Sequence, residues 1–215
     1  YFPALLPECE GEDPVEVLER GDTPQLHELR LHNGTIYRWN RPIYDVHRDR
    51  PHLRVENRVL PAGPTVADIL ANAAFYYGLV RVLCEADRPV WSQMSFSAAE
   101  DNFHAGARDG IDARLYWPGL GEVPAAELVL RRLLPMAHAG LESWGVEAAD
   151  RERLLGMIEQ RCLLMRTGAS WQIEMFHRLY EERGMDRLDA LREMTVRYRE
   201  LMHSNQPVTE WPVEG

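Results

Sequence analysis

The residues of this chain best equipped for chemistry stand on one short stretch, His52-Leu53-Arg54-Val55-Glu56-Asn57-Arg58-Val59-Leu60. Read with the two-residue period of a strand, it separates into two faces. Arg54, Glu56 and Arg58 share one face, with His52 at the head of the row. Leu53, Val55 and Val59 share the other, joined by Asn57. Residues two apart on a strand are only ~6.6 Å from each other, so one carboxylate stands between two guanidinium groups. Two readings follow. The row is the solvated side of a half-covered antiparallel sheet, or it is the floor of a polar cleft that holds anions and metal. Pro61, with no N–H to donate, ends the strand, and Gly63-Pro64-Thr65 turns the chain into an apolar helix.

A second segment is expected to supply the same face. Asn33-Gly34 is the strongest short signal for a two-residue hairpin turn. Pairing 25–32 with 35–41 across it puts His32 opposite Thr35, Arg30 opposite Tyr37, Glu28 opposite Trp39 and Leu26 opposite Arg41. Leu29, Leu31 and Ile36 take the other face. The predicted hairpin therefore brings Glu28, Arg30, His32 and Arg41 beside Arg54, Glu56 and Arg58, a floor that suits a cleft as well as a solvated surface. Hard cations such as Mg²⁺ take carboxylate oxygens together with substrate phosphates. A transferring phosphoryl group is stabilised by Arg and Mg²⁺ clamps. One Glu among several Arg fits such work, with further carboxylates from elsewhere needed to hold metal.

The elements that must position this floor are mostly helical. Asp13 caps a short helix with Pro14 at its first position and Gly21 beyond its end. Six longer helices are predicted from Thr65 to about Ala86, Ser97 to about Gly110, Pro124 to about Trp144, Asp150 to Arg166, Ser170 to Arg183 and Asp186 to about His203. Thr65 with Asp68 reads as a capping box, and Val66, Ile69, Leu70, Ala73, Tyr77, Val80 and Cys84 as the packed stripe that follows. Ile111 to Val123 reads as a loop with at most a short strand, and the tail from Ser204 as extended. The expected fold class is α+β: an antiparallel sheet segment in residues 1–63, then a helical part in residues 64–215 packed on the sheet.

Composition narrows the function. All 24 basic residues are Arg, and the net charge of −10 argues against nucleic acid or an anionic membrane as the main partner. Cys9, Cys84 and Cys162 form neither a disulfide framework nor a zinc pattern, which fits a reducing cytoplasm; the last two read as core thiols. No run of 18 apolar residues occurs. Gly-x-Ser-x-Gly, a phosphate loop ending in Lys-Ser or Lys-Thr, and His-Glu-x-x-His are all absent. Trp171-Gln172, after Arg166-Thr167-Gly168, either closes a pocket from the helical side or packs a helix start. The opening Tyr1-Phe2-Pro3, without an initiator Met, reads like the middle of a longer polypeptide.

Three stretches together carry a resemblance. Leu31-His32-Asn33-Gly34-Thr35-Ile36-Tyr37-Arg38-Trp39-Asn40-Arg41-Pro42, then Leu53-Arg54-Val55-Glu56-Asn57-Arg58-Val59, then an apolar helix, resemble the second type of bacterial glutamate–cysteine ligase, the carboxylate–amine ligase-like proteins. Trp91-Ser92-Gln93-Met94-Ser95-Phe96 and Tyr116-Trp117-Pro118-Gly119-Leu120-Gly121 are similar to the C-terminal part of an actinobacterial branch of that family. The resemblance implies a glutamine-synthetase-like fold with an antiparallel sheet as active-site floor. It also implies ATP-dependent amide formation through a γ-glutamyl phosphate, with ATP and Mg²⁺ as cofactors, of the kind used in glutathione-type thiol biosynthesis. Glu56 would be a metal ligand, Arg58 would stabilise the transferring phosphoryl group, and Arg41 would bind a carboxylate or phosphate. Arg30, His32 and Arg54 are added from the strand faces as substrate-binding residues. The substrates would be glutamate and an amine such as cysteine, with a homo-oligomer left open. The N-terminal half of the family domain is missing from the match, so this piece alone is expected to be inactive. Asn57 and the Pro-Ala-Gly-Pro turn depart from typical members, which leaves the amine acceptor open. The alternatives are a non-catalytic ligase-like module that binds an amino acid or a protein, and a helical interaction domain whose charged strands are surface.

Overall fold

The computed structural model describes residues 12–60 and 62–213. Cys9, the residues before Glu12 and the strand-ending Pro61 lie outside the described residues. The fold is α+β, and the chain divides into two units at residues 61 and 62.

In the first unit, α1 (Pro14–Glu19) starts as expected, with the Asp13 carboxylate accepting the Val15 and Glu16 amides. The predicted hairpin around Asn33-Gly34 does not form. Residues His27–Gly34 are instead a helix, α2. Its start has no side-chain cap of its own and is held from a distance by Glu12, whose carboxylate accepts the Gln25 and Leu26 amides at 2.8–2.9 Å. The Asn-Gly pair forms the last residues of that helix, and Thr35 caps it in right-handed backbone. The hairpin forms one element later, between β1 (Asn40–His47) and β2 (Arg50–Asn57). Its two loop residues, Arg48 and Asp49, have φ of 50° and 60°, the left-handed pair that a type I′ turn demands. No glycine marks that turn, so the sequence signal pointed to the wrong place.

In the second unit the six predicted helices are all present. α3 (Val66–Glu85) and α4 (Phe96–Asp109) come first. The α4 cap is Ser95 rather than Ser97. The expected loop holds two short paired strands, β3 (Arg114–Trp117) and β4 (Gly121–Pro124). Asn102 holds β3 to α4, exchanging two hydrogen bonds of 2.7–2.8 Å with the Tyr116 backbone. One helical rod then runs through α5 (Ala125–Leu128), a π-helical turn (Val129–Leu133) and α6 (Leu134–Ser143). The wider turn lies just ahead of Pro135, whose ring cannot sit against the carbonyl four residues back. α7 (Ala148–Leu164), α8 (Gly168–His177) with a π turn after it, and α9 (Arg187–Ser204) complete the unit.

Packing reverses the expected stripe of α3. Val66, Ile69, Leu70, Tyr77 and Val80 are exposed, and the buried row is Ala67, Ala71, Ala74 and Gly78. Small residues are required there because α3 crosses α6 in backbone contact. A Cβ on Gly78 would overlap the Ala137 carbonyl, and one on Gly140 would overlap the carbonyl of Gly78. Leu134, Leu141, Leu155 and Ile158 fill the space around this crossing. A second cluster gathers Trp171, Met175, Leu179, Val208 and Trp211. The tail is thus not extended: Val208–Glu210 is a 3₁₀ turn, and Trp211 stands edge-on to Trp171 and Tyr198 at 5.4 and 5.1 Å.

A buried ion pair joins these parts. Asp68 is fully buried, and its Oδ1 meets Arg161 Nη2 at 2.7 Å. Its Oδ2 accepts the Thr65 hydroxyl at 2.8 Å and the Val208 amide at 3.2 Å, so Asp68 serves α7 and the tail instead of reaching back to the Thr65 amide. Arg161 also donates to Asn72 Oδ1. Among the described residues α3 is the one helix long and apolar enough to cross a membrane. It carries the buried Asp68 and packs on α6 and α7, with its large apolar residues mostly on the opposite, exposed side. Arg161→Met should strand the Asp68 carboxylate and cost ~3–5 kcal/mol, read as a lower denaturation midpoint. Arg153→Met, which removes an exposed pair with Asp150, should stay within ~0.5 kcal/mol; equal losses would contradict the role given to Asp68.

Candidate functional site

The β1–β2 register sorts the hairpin into two chemically distinct faces. Arg41 lies opposite Glu56, Ile43 opposite Arg54, and Asp45 opposite His52. Pro42, Tyr44 and Val46 face outward with Leu53 and Val55 on the other side. The period-two separation of β2 is therefore real, and β1 extends its charged row with Arg41 and Asp45. Leu53 is 81% exposed and Val55 64% exposed, so the β2 half of the apolar face is bare, whereas Tyr44 of β1 is partly covered and donates its hydroxyl to the Pro24 carbonyl. The charged face is the one that carries α2. A simple solvated charged surface would show the opposite arrangement.

Arg41 is the centre of this face. Its side chain is only 14% exposed. Nε donates to Glu56 Oε2 at 2.7 Å, Nη2 reaches the same oxygen at 2.5 Å, and Nη1 donates to the Asn33 carbonyl at 2.8 Å. One guanidinium therefore ties β1 to β2 and both to the end of α2. A planar fork held at three points presents its remaining N–H groups in fixed directions. Arg58 continues the ladder, its amide donating to the Trp39 carbonyl at 2.9 Å. Its guanidinium lies 3.9 Å from Glu56 Oε2 and 5.5 Å from the centre of the Tyr37 ring, a cation–π distance.

A second group sits one turn along. Asp45 receives Arg30 of α2 at 3.2 Å and Arg54 of β2 at 3.3 Å, and Arg54 also contacts the His52 ring at 2.7 Å. The Val46 amide, Arg54 and Arg30, in that order, hold the Asp45 carboxyl below the ordinary range. Arg30, Arg41, Arg54 and Asp45, with Ile43 and Tyr44, line a recess of about 210 Å³.

The expected site residues separate accordingly. Glu56, Arg41 and Arg58 meet, and Arg30 and Arg54 meet through Asp45. Arg30 reaches the face from a helix, not from the expected strand. His32 is exposed at the end of α2, where its carbonyl takes the Thr35 amide and hydroxyl, and its ring does not line the recess. Glu28 is likewise exposed on α2. The hairpin predicted around Asn33-Gly34 ends at Arg41 and leaves out Asp45, although Arg41, Ile43 and Asp45 alternate in the sequence. The chemistry of the donor set does not fit a magnesium ion as it stands. Among the described residues no three His, Cys, Asp or Glu side chains gather to hold a metal, and all three arginine contacts of Glu56 fall on Oε2.

Other chemical groups are accounted for by packing. Trp171 is buried, its Nε1 donating to the Pro212 carbonyl at 3.1 Å, so it packs a helix start, and it also lines an open groove of about 490 Å³ with Val196, Arg197 and Leu201. Cys162 is buried, and burial pushes its thiol up to about 11, which makes it a poor nucleophile. Cys84, expected in the core, is exposed. The two aromatic stretches of the helical unit meet, since Trp91, Met94 and Trp117 line one apolar recess of about 510 Å³ with Leu83 and Cys84.

An arginine-held carboxylate on an antiparallel hairpin leaves further guanidinium N–H groups that can hold an anion. Comparison with known families places it further. The family model for glutamate–cysteine ligase family 2 matches residues 9–198, and the chain belongs to that family. No curated protein and no solved structure matches it.

The carboxylates that shape the site also set its acid response. Glu12 is held low by the Gln25 amide and then the Leu26 amide, and Asp45 is held low as described. A carboxyl depressed on folding contributes stability that is present above the ordinary range and lost as pH falls through its lowered value. The Gln25 and Leu26 amide resonances should therefore move only as pH falls below the ordinary carboxylate range, and Glu12→Gln should abolish that titration. Resonances that ignore acid would contradict the Glu12 anchor.

Proposed function

We propose that the chain is the C-terminal portion of an ATP-dependent carboxylate–amine ligase with a glutamine-synthetase-like catalytic sheet, acting in the cytoplasm. The γ-carboxylate of glutamate attacks the γ-phosphorus of ATP and ADP leaves. An amine such as cysteine then attacks the acyl phosphate, losing a proton and expelling phosphate, to leave an amide. The observation that carries this reading, beside family membership, is Arg41 held rigidly against Glu56 with Arg58 beside it. Fixed guanidinium groups stabilise charge on a transferring phosphoryl group without reorganising during the reaction. In this scheme Arg58 faces the phosphoryl group, Arg41 orients a carboxylate or phosphate, and Arg30 and Arg54 hold substrate. Magnesium, when bound, would neutralise phosphate charge; Glu56 alone would not hold it, and its ligands would include substrate phosphate oxygens.

A second reading is a non-catalytic ligase-like module that binds an amino acid or a protein. In that reading the Arg41–Glu56 pair braces the hairpin and takes no part in phosphoryl transfer. Phosphate release from ATP separates the two, measured with Mg²⁺, glutamate and a panel of amines on the intact polypeptide that carries this chain. The ligase reading expects amine-dependent release that Glu56→Gln lowers at least about 100-fold, a loss of ~2.7 kcal/mol in transition-state stabilisation. A folded protein that binds glutamate but turns over no amine supports the module instead.

A further inference from the structure

We infer that the helical unit carries a phosphate-binding recess between α9 and the π turn that follows α8. That turn spans Arg178–Glu182. Arg178, Arg183 and Arg197 line a space of about 230 Å³ together with one carboxylate, Glu182. On a chain whose net charge is −10, three guanidinium groups facing one small space stand out. Glu174 and Glu193, which pair with Arg178 and Arg197, do not line the recess. A phosphate group carries close to two negative charges at neutral pH, and its oxygens accept the planar guanidinium fork two at a time. The space is below the ~300–1,000 Å³ of drug-sized sites, so it suits the phosphate itself and not a whole nucleotide.

The local fold gathers these groups. On an α-helix, residues five apart point ~140° away from each other. Here the Arg183 amide donates to the Arg178 carbonyl at 3.0 Å, and this wider turn, a form that recurs at functional sites, brings the two nearer one side. Arg197 comes from α9 with its side chain 25% exposed. Its Nε donates to Glu193 Oε1 at 2.8 Å, which orients the fork and leaves both terminal nitrogens without a hydrogen bond among the described residues. The Arg178 guanidinium lies 3.8 Å from Glu174 Oε1, beyond hydrogen-bond reach. The floor is Met175 and Leu179, both buried in the second core cluster. The open groove beside Trp171 adjoins the recess, sharing Met175 and Arg197 with it. Glu193 and Glu200 border that groove, so it suits an uncharged group while the anion belongs in the recess. The ligand is thus free phosphate, or the phosphate of an ester whose organic part lies in the groove. None of this rests on the ligase reading.

The test follows the Nε–Hε resonances of Arg178, Arg183 and Arg197 while the full chain is titrated with inorganic phosphate or with phenyl phosphate. Ionic strength is held constant, so that general screening does not move them. All three should shift together and saturate at millimolar concentration or below. Arg197→Met should raise the dissociation constant at least about tenfold. Arg192→Met, which removes an exposed pair with Asp189, should leave it within about twofold. Tighter binding of phenyl phosphate than of phosphate assigns an ester; equal or weaker binding assigns free phosphate. No saturation with either ligand by about 20 mM overturns the inference. So do shifts confined to Arg41 and Arg58 of the hairpin, or an Arg197→Met chain that binds as the wild type does. Should Arg197→Met not fold, Arg178→Met, at a more exposed side chain, must weaken binding by the same measure, and unchanged affinity there overturns the inference.

Discussion

The helical unit depends on one carboxylate that water cannot reach. Asp68 is fully buried at the start of α3, where an uncompensated charge would not be tolerated. Arg161 from α7, the Thr65 hydroxyl and the Val208 amide together complete its coordination. Arg161 and Val208 lie far from Asp68 in sequence, so satisfying it ties α3, α7 and the C-terminal tail together. The tail's return then brings Trp211 against Trp171 and Tyr198. With these contacts set, α3 must approach α6 closely, which only Gly78 and Gly140 allow at the crossing.

The hairpin unit uses the same physics at its surface. Arg41 and Asp45 each gather partners from α2 and from both strands, and the result is a charged face that is structurally braced. Bracing matters for chemistry, because a guanidinium fixed in advance stabilises developing charge without first giving up its own freedom. It also explains why α2 lies on the polar face while Leu53 and Val55 remain bare: the attraction is ionic and directional, not hydrophobic.

Much of this was legible in the sequence, and the exceptions have physical causes. Helix caps such as Asp13, Thr65 and Asp186 are local signals, and each holds in the structure. The alternation of β2 and the family resemblance also survive. Asn33-Gly34 misled because a local turn signal yields to contacts from elsewhere: Glu12 takes the amides ahead of α2, and Arg41 donates to the Asn33 carbonyl at its end. The α3 stripe misled because periodicity shows which residues share a face but not which face is buried. That choice was made by Asp68 and the two glycines. Asp45 escaped notice for the same reason as the true hairpin turn: Arg48-Asp49 adopts left-handed backbone without a glycine to announce it.

The central claim, that this family member makes an acyl phosphate on glutamate, has a direct isotopic test. ATP carrying ¹⁸O in its β–γ bridge would be incubated with the intact polypeptide, Mg²⁺ and glutamate, and with no amine. Reversible transfer of the γ-phosphoryl group to glutamate frees the bridging oxygen on ADP to exchange with the other β oxygens before transfer back. The account predicts that the label scrambles with glutamate present and stays in the bridge without it. ATP that remains unscrambled while both substrates are bound would contradict it.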